Sequence, residues 1–322
     1  MHFDVFNGDA DGICALIQLR LDQPVESTLI TGIKRDIQLL DRVTVNPGDQ
    51  LTVLDISLQQ NSARVKEFLN HGASILYIDH HQPGDIPKHP NLKTFINTDS
   101  SICTSLLVNQ YLNGKYPLWA ITAAFGDNLN HSAEQLAASL NLSQPELKTL
   151  ENLGIYINYN GYGSCISDLH FAPDQLYREM AGFQSPFDFI AGNHDTFERL
   201  EQGYQEDMAN ARRIKPEYQS DSVAVFILPD TIWARRVNGV FGNYLANLDP
   251  ARAHAVITYH PENDFQISVR APLCNKTGAD ELCSAFPSGG GRKAAAGINH
   301  LAKNELERFI KRFDEFYSQL LS

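Results

Sequence analysis

The chain has 322 residues, 43% apolar and 20% charged, which suits two ordinary domains and is too apolar for a disordered chain. Its 38 acidic against 26 basic residues give a formal net charge of −12, which disfavours a sequence-independent grip on long nucleic acid. No apolar run approaches the roughly 18 residues of a membrane span, and no basic start leads into a hydrophobic stretch, so the expectation is a cytoplasmic protein without membrane contact.

In chain order, FDVFNGDADGICALIQL reads as an apolar strand, an acidic turn and an amphipathic helix, with Asp9 and Asp11 on the turn. Strand-like runs at 3–6, 28–33, 51–54, 75–78 and 94–96 alternate with helical stretches, the pattern of a parallel sheet with crossover helices. Asp55 ends the third run, and Asp79, His80 and His81 end the fourth. A helical stretch then leads into Gly126, Asp127 and Asn128. Open α/β sheets bind ligands at their carboxyl edge, where these residues fall.

Any one such aspartate is as well explained by a helix cap or a turn. The set is not, because carboxylates gathered at one edge repel unless a cation lies between them. Two manganese or magnesium ions about 3.5 to 4 Å apart require oxygen ligands with some imidazole, one carboxylate usually bridging. Asp9, Asp11, Asp55, His80 and Asp127 supply that inventory, and Asn7 is either a further oxygen ligand or a turn residue. No CxxC pair suggests a structural zinc site. The histidines at 2, 71, 89, 131, 194, 254 and 300 are scattered and read as surface or core residues. Five scattered cysteines read as reduced thiols, with Cys14 on the apolar face of the first helix.

Further along, INYNGYGS at 157–164 reads as a loop, although Tyr159 or Tyr162 could instead line a nucleotide pocket. A helix at 196–213 leads to a linker, strands resume at 223–228, 255–259 and 265–269, and an amphipathic helix at 301–321 ends the chain. This divides the chain into 1–195, with a core at 1–130, a linker helix at 196–220, and a smaller α/β domain at 221–322. From residue 221 onward 11 Lys and Arg face 11 Asp and Glu, so the acidic excess lies in the first 220 residues. Gly289, Gly290 and Gly291 read either as a flexible turn or as a nest of amides that holds an anion beside Arg292 and Lys293.

The motifs DADG at 9–12, Asp55, the triplet Asp79, His80 and His81, and GDN at 126–128 occur in the order of the DHH phosphoesterases, which the first 130 residues resemble. The second half is similar to the glycine-rich domain that usually follows, through Arg270 in QISVRAP and the PSGGGRKAAAGI segment. The family more often has histidine where Asn7 and Arg292 stand.

The resemblance implies that Asp9 and Asp11 each hold one metal, Asp55 bridges both, and His80 and Asp127 complete the second. Manganese is favoured over magnesium because an imidazole is among the ligands. Asp79 would orient a histidine, His81 would touch the phosphoryl oxygen or leaving group, and Arg270 with residues 289–293 would hold a terminal phosphate or base. The implied activity is hydrolysis of phosphodiester bonds in short oligonucleotides or dinucleotides from an end. Alternatives are a pyrophosphatase, polyphosphatase or nucleotide phosphatase and, in another class, a nucleotide-binding sensor that does not hydrolyse. A homodimer stays open at this stage.

Overall fold

A computed structural model describes residues 1–260 and 264–321. The chain is α/β and forms two compact units, Met1–Gly161 with Cys165–Gln202, and Tyr162–Ser164 with Gly203–Ser322.

The first unit carries a parallel sheet of β1 (His2–Phe6), β2 (Thr28–Ile30), β3 (Gln50–Leu54), β4 (Ser74–Asp79) and β5 (Leu92–Ile96), in the order β2-β1-β3-β4-β5. Val5 and Phe6, Val53 and Leu54, and Tyr77 and Ile78 are buried on alternate faces, so the three central strands are covered on both sides. Helices α1 (Ala10–Asp22) and α2 (Leu58–Asn70) make the crossovers, and Val65 and Phe68 of α2 close one face against Val5, Val53 and Tyr77. The strand expected at 28–33 ends at Ile30.

Beyond the sheet lie α3 (Thr104–Tyr111), α4 (Pro117–Gly126), α5 (Asn130–Ala138), α6 (Gln144–Gly161), α7 (Pro173–Met180), α8 (Pro186–Gly192) and α9 (His194–Ala211). Of the loop expected at 157–164, residues 157–161 are instead the last turn and a half of α6, while Tyr162–Ser164 follow it outside any helix or strand. Its polar residues serve buried hydrogen bonds: Asn160 Nδ2 donates to the Phe171 carbonyl at 2.9 Å and its Oδ1 accepts from Phe171 N at 3.0 Å. Tyr159 is fully buried and its hydroxyl lies 2.8 Å from His170 Nε2, which removes it from any pocket. Glycine is required where α4 meets α6. A Cβ on Gly154 would fall 2.0 Å from the Thr122 carbonyl, and one on Gly126 would fall 2.5 Å from Ala10 Cβ. That contact holds the end of α4, and so Asp127, against the start of α1.

The second unit contains β6 (Tyr218–Gln219), β7 (Val223–Ile227), α10 (Ile232–Leu248), β8 (Ala253–Tyr259), β9 (Phe265–Arg270), α11 (Ala279–Ser284), β10 (Gly289–Gly291), β11 (Ala295–Leu301) and α12 (Leu306–Leu321). Its mixed sheet runs β10-β11-β9-β8-β7-β6. One face buries Val225, Ile257, Ile267 and Val269 beneath Phe309, Phe313 and Tyr317 of α12. The other faces α10 and is mixed, with Phe226 meeting Phe241 edge to face and Asn238 Nδ2 donating to Thr258 Oγ1 at 2.8 Å.

The three glycines read as a loop form the edge strand β10, with Gly289 opposite Ile298 and Gly291 opposite Ala296. Two of them are glycines for lack of space: a Cβ on Gly289 would lie 1.8 Å from the Cys283 carbonyl, and one on Gly291 would lie 2.5 Å from Ala296 Cα, whereas one on Gly290 would meet nothing within 4 Å. The terminal helix starts at Leu306, not at residue 301, because Leu301 still belongs to β11.

Candidate metal centre

Neighbouring strands β1, β3 and β4 end at one edge, and the chain leaves each of them through a candidate ligand. Asp9 is the N-cap of α1, its Oδ1 accepting from Asp11 N at 3.0 Å and Gly12 N at 3.1 Å. Asp11, in the first turn of α1, faces the start of α3, where Thr104 N and Ser105 N each donate to its carboxylate at 2.7 Å. Asp55 follows β3 with φ +58°, a left-handed conformation unusual for a residue with a side chain. It accepts from Thr104 Oγ1 at 3.2 Å.

His80 and His81 have separate orienting partners. His80 Nδ1 donates to the Ile102 carbonyl at 2.9 Å, which leaves Nε2 with its lone pair 3.4 Å from Asp55 Oδ1 and 3.8 Å from Asp11 Oδ2. His81 Nδ1 donates to Asp79 Oδ1 at 2.7 Å, and the Asp79 carboxylate is fully buried beneath it. Ligand atoms of Asp55, His80 and His81 all lie within 4.8 Å of one another.

A lysine that sequence reasoning missed enters the cluster from the other side. Lys34 Nζ pairs with Asp9 Oδ2, donates to Asn158 Oδ1 at 3.0 Å and stands 3.7 Å from Asp127 Oδ1. Its backbone is held at both ends, Lys34 N donating to the Gly161 carbonyl at 2.8 Å and Lys34 O accepting from Asn7 Nδ2 at 3.1 Å. The available signal was its position just after β2, at the same sheet edge as the carboxylates.

Charge at the site is unbalanced. Burial, and then the neighbouring carboxylates, push the Asp11 and Asp55 carboxyls well above the usual range. Burial acts the same way on Asp9, but the Lys34 ammonium outweighs it and holds that carboxyl below its ordinary value. For Asp79 too, burial is opposed by the facing His81, and the carboxyl stays low. Asn7 Oδ1 and Asp79 Oδ2 are buried without a hydrogen-bond partner. A buried lone pair without a donor, three oxygen-bearing strand ends and an imidazole with its lone pair directed at them fit a hard divalent cation with some affinity for nitrogen. Asp9, Asp11, Asp55, Asp79, His80, His81 and Asp127 are thus brought together in the first unit.

Arg270, Gly289, Gly290, Gly291, Arg292 and Lys293 lie in the second unit. Arg270 is 9% exposed and spends four of its five N–H groups there. Its partners are Asn243 Oδ1 at 2.6 Å, Ser268 Oγ at 2.9 Å, and the Val269 and Gly239 carbonyls at 3.1 Å. Arg292 and Lys293 form the β10–β11 turn, closed by Arg292 N donating to the Ala295 carbonyl at 2.9 Å.

No family model and no curated protein matches the chain in sequence. Solved structures do match in fold. A DHH domain from a member of a family of ribosomal proteins superposes with a TM-score of 0.65 at 13% identity, covering 100% of this chain and 86% of that one. The exonuclease RecJ bound to manganese gives 0.62 at 14% identity over 99% of this chain and 90% of its own. A pGpG-specific phosphodiesterase, PggH from Vibrio cholerae, gives 0.56 at 16% identity over 99% and 98%. The chain has the fold of the DHH-domain proteins. Among the described residues no helix is long and apolar enough to cross a membrane.

Proposed function

We propose that this DHH-fold chain is a metal-dependent phosphodiesterase that hydrolyses short oligonucleotides or dinucleotides from an end. The observation that carries the reading is the convergence of Asp11, Asp55 and the His80 lone pair, with an unbonded Asn7 oxygen buried nearby. Its fold neighbours include an exonuclease bound to manganese and a pGpG phosphodiesterase, which favours a nucleotide substrate.

In this reading Asp9, Asp11, Asp55, His80 and Asp127, with Asn7, hold two divalent cations, manganese in preference to magnesium. When bound, such ions supply Lewis acidity toward a phosphoryl oxygen and acidify water near neutral pH. The chain supplies the rest. The Ile102 carbonyl fixes the tautomer of His80, so its Nε2 meets the cluster as a lone pair rather than an N–H. Asp79 fixes His81 in the same tautomer, so that its bare Nε2 takes up a proton and the resulting imidazolium returns it toward the phosphoryl or leaving oxygen. Asp55, in its left-handed turn, would be the carboxylate shared by the two cations. In the second unit Arg270 and residues 289–293 hold the terminal phosphate or base. Four of the five Arg270 N–H groups are anchored, so that contact is made by a rigid guanidinium.

The test is incubation of the protein and manganese with a dinucleotide, a cyclic dinucleotide, pyrophosphate and a long 5′-labelled oligonucleotide. Mononucleotide release from the dinucleotide, with the long strand slow, is expected. Cleavage of pyrophosphate alone would overturn the phosphodiesterase reading, and no turnover of any of the four would leave a binding module.

A further inference from the structure

A second cluster of nitrogen and oxygen donors lies in the second unit, on residues with no part in the proposed chemistry. His260 follows β8, Asp264 precedes β9 and His300 lies in β11. His260 Nδ1 is 3.4 Å from Asp264 Oδ1, His300 Nδ1 is 3.0 Å from Asp264 Oδ2, and the ligand atoms all lie within 4.8 Å of one another. The imidazoles meet edge to face, with centroids 4.5 Å apart and planes at 70°.

The backbone is built to deliver His300 there. β11 pairs Ile298 with Ile267 and Leu301 with Phe265, so three residue steps on β11 match two on β9. A regular strand would turn His300 to the same face as Ile298, into the core. The extra residue places Leu301 there instead, 3% exposed, and turns His300 outward at 46%. Ser288 pins the bulge: its hydroxyl accepts from His300 N and donates to the His300 carbonyl, both at 2.8 Å. Asp264 Oδ1 is buried and, among the described residues, accepts no hydrogen bond.

A tetrahedral zinc ion with bonds of about 2.0 to 2.1 Å holds its ligand atoms about 3.3 Å apart. The carboxylate-to-imidazole separations, 3.0 Å at Oδ2 and 3.4 Å at Oδ1, are of that size. Two imidazoles and one carboxylate suit zinc, nickel or cobalt better than magnesium or calcium.

We propose that His260, Asp264 and His300 form a zinc site that fastens together the ends of β8, β9 and β11 and leaves a fourth position for water. The site is independent of the carboxylate cluster in the first unit and of the proposed hydrolysis.

The experiment uses the full chain carrying Asp55→Ala and His80→Ala, so that the first cluster cannot compete. After zinc loading and removal of free metal, mass spectrometry counts the ion per chain, and thermal melts are taken with and without zinc. One equivalent is expected, with a higher Tm in zinc; adding His300→Ala abolishes both, while its zinc-free Tm matches the parent and shows that it folds. Asp264→Asn serves as the second variant should His300→Ala not fold. A parent that retains no zinc overturns the proposal and leaves a plain hydrogen-bonded triad, as does retention unchanged in the folded variant.

Discussion

Asp79 holds His81 by a 2.7 Å hydrogen bond at Nδ1, while its own carboxylate is fully buried and its second oxygen accepts nothing. The proposed function gives the two histidines of the triplet different tasks, and His80 is held instead by the Ile102 carbonyl. His81→Ala should therefore keep its metal and lose turnover by about 100-fold or more, the usual contribution of a positioned proton donor or acceptor. Manganese binding by calorimetry alongside kcat checks this. Loss of an ion instead would show that His81 is a ligand.

Lys34 should behave as the internal counter-ion of the Asp9 and Asp127 side of the cluster. Lys34→Met leaves those carboxylates facing each other, so the metal-free variant should melt below the wild type, and manganese should restore most of the difference. Manganese should also bind the variant more tightly, by about tenfold if the displaced ammonium costs roughly 1.4 kcal/mol. Equal melting of the two metal-free proteins would remove Lys34 from this role.

Arg270→Ala should have two effects that separate by temperature. Removing a buried guanidinium strands the Gly239 carbonyl and the Asn243 side chain, at a cost of about 3 kcal/mol in urea unfolding. Well below the melting transition, KM should rise more than kcat falls if the arginine anchors the substrate. An unchanged KM in folded protein leaves Arg270 as a packing residue of α10 and β9 only.

A pH effect on stability follows from His254. Burial lowers its imidazole from 6.5 to about 4, and its Nδ1 has no partner. As pH falls through 6.5 the unfolded chain takes up a proton that the folded chain refuses until about pH 4, so stability is complete above the first value and falls toward the second. The full loss is about 3 kcal/mol. Asp11 and Asp55, with raised carboxyls, act in the opposite sense, so the comparison is between wild type and His254→Leu across this window. The urea midpoint of the wild type should fall relative to that variant on acidification; parallel curves would contradict it.

The strand ends and their carboxylates were legible because each is local: an apolar run of four or five residues stops, and the next side chain is acidic. Lys34 was not, because its partners lie 25 and 124 residues away, at Asp9 and Asn158. The INYNG segment, 157–161, misled by composition. Asparagine, tyrosine and glycine suggest a loop only when nothing buried awaits them, and here the Phe171 backbone and His170 do. The triple glycine misled for the converse reason, since it suggested a flexible turn where β10 pairs with β11 and Cys283 and Ala296 leave no room for a Cβ on Gly289 or Gly291. His260 and His300 are brought together only by a one-residue bulge, which no periodicity reveals.

Because Asp9, Asp55 and Asp79 leave three strands that lie side by side, the backbone hydrogen-bond repeat of about 4.8 Å is the ruler that spaces the cluster. A ruler made of main chain does not depend on which side chains cover it. Side-chain replacement that keeps the strand pairing therefore leaves the gauge of such a sheet edge intact, whereas one slipped residue in β3 would move a carboxylate to the wrong face.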